Sequence, residues 1–130
     1  MEPPSIRHPD PTTRRLRLAT RLRPSFRNTQ IQWIKAIYVP TATIAGVAGW
    51  LPSGTPIHNV LRRSAVEFYS WKPLMGWTDD DVDELWSGVN LEAWEGQNTR
   101  ADEIREAFMK GEEHWYLSPM LTFPEFQGRG

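Results

Sequence analysis

The chain has no cysteine, no long apolar run and no excess of one charge. The first absence removes disulfides, thiolate nucleophiles and cysteine-based zinc sites together. It fits a reducing compartment, so an intracellular, cytoplasmic setting is expected. The second excludes a membrane-spanning helix, which needs roughly 18 consecutive apolar residues. Residues 1–11 lack the apolar centre of a secretory leader, and Glu2 and Asp10 argue against a mitochondrial transit segment. The formal net charge of -1 gives no global attraction to nucleic acid or to a membrane, and neither is expected as a partner. No repeat and no low-complexity tract is found. His8 and His58 show no ligand spacing, so no metal is expected.

What is present is uneven. Arg7, Arg14, Arg15, Arg17, Arg21, Arg23 and Arg27 crowd the start, and Asp79, Asp80, Asp81, Asp83, Glu84, Glu92 and Glu95 the middle. Neither run requires a ligand. Arginines without interleaved aromatic residues fit a solvated helix face better than a nucleic-acid groove, and acids in the first turn of a helix offset its dipole. Seven tryptophans in 130 residues bring large apolar areas. Trp71, Trp77, Trp86 and Trp94 serve either as core or as the wall of an acceptor groove.

Four prolines make residues 1–11 an irregular tail, and the domain proper is expected over residues 12–130. Thr12 or Thr13 can cap a helix from Arg14 to about Pro24, with Leu18, Ala19, Leu22 and Phe26 on its apolar face. Period-two alternation from Gln30 to Val39 predicts a strand. A turn at residues 40–42 and a second strand, Thr43 to Trp50, complete an antiparallel hairpin. Gly46 and Gly49 in that strand permit close backbone approach or a bulge. Residues 57–77 carry mixed signals. Thr78 caps a helix whose buried stripe is Val82, Leu85, Trp86 and Val89. Asn98 or Thr99 starts another, with Ile104 and Phe108 facing inward and Gly111 ending it. A third strand runs from His114 to Phe123, with Pro119 marking a bulge or an unpaired position.

After that strand comes Pro124-Glu125-Phe126-Gln127-Gly128-Arg129-Gly130, a glycine-rich turn of the kind that feeds a helix N-terminus and cradles an anion. In this context the chain resembles the Gcn5-related N-acetyltransferase (GNAT) family. The family's acyl-CoA motif reads Gln/Arg-x-x-Gly-x-Gly/Ala after an apolar strand ending in Pro. Leu121, Phe123, Pro124, Gln127 and Gly130 match it. Thr122 stands where Val is common, and the motif's final Gly or Ala would fall two positions beyond Gly130. The TIAGVAGW hairpin strand is similar to the family's third strand. The HWYLSPMLTFPEFQGRG stretch looks most like fungal members.

The resemblance implies an α/β (α+β) fold: a partial GNAT sheet, mostly antiparallel and flanked by helices, with the C-terminal half of the fold missing. It implies transfer of an acetyl group from acetyl-CoA to a primary amine that the sequence does not identify. Leu121 and Thr122 would contact pantetheine. Gln127, Gly128, Arg129 and Gly130 would hold the pyrophosphate through backbone amides, where a Cβ would keep the phosphate away. Glu125 is a general-base candidate by position or else an exposed turn residue. His114 and Tyr116 either meet substrate or pack at the start of the strand. No catalytic residue is named. The alternative is a non-catalytic remnant or interaction module from a truncated gene, and the unpaired edge of the third strand then predicts self-association.

Overall fold

The computed structural model describes residues 10–129. Over the described residues the protein is α+β, with five helices and a three-stranded antiparallel sheet. Helix α1 spans Pro11–Leu22, strand β1 Gln32–Tyr38 and strand β2 Thr43–Leu51. Helices α2 (Ala65–Phe68), α3 (Trp71–Met75), α4 (Asp79–Trp86) and α5 (Leu91–Met109) follow, and strand β3 (Tyr116–Thr122) returns to the sheet.

Helix α1 begins three residues earlier than its periodicity suggests. The Asp10 carboxylate accepts from the backbone amides of Thr12 (3.2 Å) and Thr13 (2.8 Å). Pro11 occupies the first turn, where its missing N–H costs nothing. Asp10 and Pro11 therefore belong to the domain; the remainder of the expected tail lies outside the described residues. The helix is also rotated from the expected face. Leu22 is buried, but Leu18 and Phe26 are exposed, and Arg21 takes a buried position instead. Arg17 reaches across to Glu84 (2.6 Å) and to the Ser87 carbonyl (2.7 Å), while the Arg21 guanidinium lies over the Trp86 ring. These contacts turn the basic stripe toward α4. A 3-10 turn over Arg23–Arg27 follows, and Phe26 stacks on Trp33 there, with ring centroids 4.4 Å apart.

Helix α4 is capped as its sequence predicts. The Thr78 hydroxyl accepts from the Asp81 amide (3.1 Å), and the Asp81 carboxylate accepts from the Thr78 amide (2.8 Å), a reciprocal box that satisfies two end donors. Helix α5 departs from expectation. It is one continuous helix capped by Asn90, whose side chain accepts from the Ala93 amide at 3.1 Å. It runs through Gly96 and Asn98 without a break. Ile104 and Phe108 point outward, with 63% and 83% of their surface exposed. Between Glu95 and Arg105 the stripe turned inward is polar. Arg62 donates to Glu95 (2.8 Å), Asp102 (2.7 Å) and Thr99 (2.6 Å), and the Asn59 amide donates to Asn98 (3.0 Å). Those bonds fix the helix rotation that apolar periodicity alone assigns differently.

The sheet order is β1-β2-β3. The register slips between Ala36 and Ile37 on β1, and again where Ser118 and Pro119 together oppose Gly49. The second slip is the bulge expected at Pro119. The core joins Ile31 and Leu51, from the sheet's lower end, to Leu22, Val60, Ala65, Val66, Trp71, Val82 and Trp86. The helices gather at that end and do not flank the whole sheet. The upper end, carrying Ile34, Ile37, Ile44, Met120 and Leu121, is exposed on both faces.

Candidate functional site

Five of the six residues expected to bind the acyl carrier lie together at the upper end of β3; Gly130 lies outside the described residues. The Phe123 amide donates to the Ala45 carbonyl at 2.9 Å, so this pair is hydrogen-bonded within the β2–β3 ladder. An antiparallel ladder alternates. Leu121, opposite Val47, therefore turns its backbone groups toward β2. Met120 and Thr122, opposite Ala48 and Gly46, turn theirs to the other edge. No described strand pairs with that edge.

The glycine turn folds back on this edge. Pro124–Phe126 form one 3-10 turn, and the Gln127 side-chain amide donates to the Thr122 carbonyl at 2.8 Å. Gly128 has φ +70°, in the left-handed region, and its missing Cβ would meet open space. Glycine is used here for its backbone freedom. The turn is pinned by an aromatic contact: Phe126 lies 5.4 Å from the Tyr38 ring on β1. The Arg129 guanidinium sits 5.9 Å over the Phe126 ring, a contact worth roughly 0.5–1 kcal/mol at an exposed site. Leu121, Thr122, Gln127, Gly128 and Arg129 are all exposed.

The close approach behind this edge depends on Gly46. A Cβ there would lie 2.7 Å from the Leu121 carbonyl oxygen. Only glycine lets β2 come this near to β3 at the level of the turn.

The other candidates lie elsewhere. Glu125 is exposed within the 3-10 turn. His114, before β3, hydrogen-bonds the Glu112 carbonyl through Nδ1 at 2.8 Å. An imidazole nitrogen facing a carbonyl carries the proton; Nε2 is buried, with no hydrogen-bond partner among the described residues. Tyr116 is half-buried under the Arg105 guanidinium (5.1 Å), and burial pushes its phenol above the usual range. Trp71 and Trp86 are core residues, while Trp77 and Trp94 are half-buried. Trp94 donates from Nε1 to the Leu61 carbonyl at 3.0 Å, tying α5 to the preceding loop. The Asp79–Glu84 acids serve α4: Asp81 closes the cap, Asp79 pairs with Lys72 at 2.9 Å, and Asp83 pairs with Arg63.

Sequence reasoning missed the Arg62 clasp and a second polar group beside it. His58 Nε2 lies 2.8 Å from the Ser64 hydroxyl, its ring stacks on Phe68 at 4.5 Å, and its backbone carbonyl accepts from the Tyr69 hydroxyl at 2.7 Å. Burial, then the nearby Arg62 charge, lowers the His58 pKa. Burial pushes the Tyr69 phenol up to about 12. Neither has a spacing signal, because their partners come from an irregular segment. A shallow groove of about 400 Å³ opens beside Ser64, lined by Arg63, Glu67, Asp79, Val82 and Leu91. Its charges are already paired.

Among the described residues no group of three or more His, Cys, Asp or Glu is placed to hold a metal ion, and no helix is long and apolar enough to cross a membrane. No protein-family model matches the chain, and no curated protein or solved structure matches it either.

Proposed function

We propose that the chain carries the acyl-carrier side of a GNAT-type N-acetyltransferase, with acetyl-CoA as co-substrate and a primary amine as acceptor. One observation carries the reading: a β3 edge with no described partner strand, its Thr122 carbonyl capped by Gln127, runs directly into a glycine turn. Met120 and Thr122 turn their backbone groups outward there, and Gly128 sits six residues beyond Thr122 in a left-handed conformation. An extended amide-bearing chain such as pantetheine can bond such an edge as an added strand. The amides of Gly128 and Arg129 would then meet a phosphate. Glutamine, glycine and arginine at 127–129 suit that role in donors, freedom and charge.

The chemistry would be attack of a neutral amine nitrogen on the thioester carbon. The C–N bond forms and the C–S bond breaks; the amine proton is lost to a base, and the carrier leaves as a thiolate that takes a proton back from the protonated base or from water. The β3 edge binds and orients the carrier; no described side chain is assigned as the base.

The exposed apolar upper sheet favours a second reading, an interaction module without catalysis. Thermal denaturation with acetyl-CoA separates the two. Saturable stabilisation, lost in Gly128→Val, supports the transferase reading, because ligands that bind only the native state raise its melting temperature. No shift at millimolar acetyl-CoA supports the module.

A further inference from the structure

We propose that a pocket between the 3-10 turn at Arg23–Arg27 and helices α2 and α3 binds a small organic anion, an oxyanion head on an apolar body. The pocket has a volume of about 410 Å³, within the range of small-molecule sites. Residues 27–30 form one wall, and the other runs from Phe68 through Trp71 to Leu74. The site lies at the lower end of the sheet, where residues 28–30 lead into Ile31 and β1. The glycine turn lies at the upper end of β3, so the pocket does not rest on the proposed function.

Charge and spare donors favour an anion. No Asp or Glu lines the pocket, and none occurs between Asp10 and Glu67. Glu67 itself is drawn to Lys72 at 2.9 Å. The Arg17, Arg62 and Arg63 guanidiniums are each held by a carboxylate. Arg27 is exposed, and its guanidinium makes no ion pair or hydrogen bond among the described residues. Asn28 turns its side-chain oxygen to the Gln30 amide (3.0 Å), which leaves its NH2 donors unspent. Trp71, wholly buried, adds an indole N–H with no hydrogen-bond partner among the described residues. Neutral donors grouped around an unpaired guanidinium suit a carboxylate or a phosphate.

Ser70 in the same wall agrees. Its φ of 55° and ψ of 44° lie in the left-handed region, where glycine is favoured and other residues are uncommon. A serine kept there brings a hydroxyl at the cost of backbone strain, a pattern found at ligand sites. The apolar body has its own surface. Phe68 and Leu74 are each 45% exposed, and the Phe68 ring is fixed by stacking on His58 at 4.5 Å.

Phenyl phosphate and benzoate are the probes, each titrated into the 15N-labelled chain and followed by two-dimensional NMR. Saturable shifts at Thr29 and Ser70 are expected, and the tighter probe tells a phosphate head from a carboxylate. Inorganic phosphate or acetate, the same heads without the ring, is expected to bind about tenfold more weakly, the effect of partly burying a ring. Benzylamine, with the same ring and the opposite charge, is expected not to bind. Arg27→Gln is expected to weaken the tighter probe by about tenfold or more, the loss of one charge-assisted hydrogen bond. Arg15→Gln, which removes an equal charge from α1, is expected to leave it unchanged. Ser70→Gly is expected to keep or raise the melting temperature and still weaken the probe. No saturable shift from either probe at millimolar concentration, equal binding of benzylamine, or equal losses in Arg27→Gln and Arg15→Gln overturns the site. Shifts confined to residues 126–129 place the anion at the glycine turn and overturn it too. Unchanged binding in Ser70→Gly overturns the role of the hydroxyl.

Discussion

Gly46 on β2 lies so close to Leu121 on β3 that a single added carbon would sit 2.7 Å from the Leu121 carbonyl oxygen. The neighbour is backbone, so it cannot swing aside as a side chain could. Gly46→Ala is expected to lose ~1–3 kcal/mol, the usual range for overpacking, read as a lower urea midpoint. Gly128→Ala meets no atom and carries only the left-handed backbone penalty, about 1–2 kcal/mol. An unchanged urea midpoint for Gly46→Ala contradicts the close approach.

Arg62 joins the irregular segment before α2 to the polar stripe of α5. Arg62→Met keeps the stem and removes the guanidinium, leaving Glu95 without its cation and Asp102 with only the longer Arg105 contact (3.7 Å), at side-chain exposures of 31% and 26%. Hydrogen bonds to charged groups contribute about 1.5–3 kcal/mol each, though not additively. A loss of ~2–3 kcal/mol in chemical denaturation is expected. A loss below about 0.5 kcal/mol, the level of an ordinary surface change, contradicts the clasp.

The same clasp marks where sequence reasoning stops. Period-two alternation located β1, and apolar stretches bounded by turn residues located β2 and β3. Thr78 located α4, because its cap is local in sequence. Ile104 and Phe108 misassigned the inner face of α5, because Arg62 lies more than thirty residues from Glu95 and no local pattern announces it. The candidate site was legible in its residues, from Leu121 to Arg129. Its geometry was not: the Gln127–Thr122 bond and the Phe126–Tyr38 contact depend on how the turn folds back over the hairpin.

Phe126 and Tyr38 hold the glycine turn against β1. A double-mutant cycle with Phe126→Ala and Tyr38→Ala is expected to give a coupling of about 0.5–1.5 kcal/mol, the range for aromatic pairs. Additive losses would show that the rings do not hold each other.

His58 gives the fold a pH dependence with a defined sign. Burial lowers its folded pKa below the ordinary 6.5, so the unfolded chain binds the proton more readily. Its contribution is complete above about pH 6.5 and declines as pH falls from there through the lowered folded value. His58→Phe retains the ring against Phe68 and removes the titration. Its melting temperature is expected to fall less than the wild-type value between pH 7 and pH 5. Parallel declines contradict the assignment.

The most direct test of the acyl-carrier reading is a titration of the 15N-labelled chain with acetyl-CoA, followed amide by amide in two-dimensional NMR spectra. Saturable shifts at Met120, Thr122, Gly128 and Arg129, with little change in α4 and α5, are the predicted result. No shift at millimolar acetyl-CoA, or shifts confined to the arginines of α1, would contradict it.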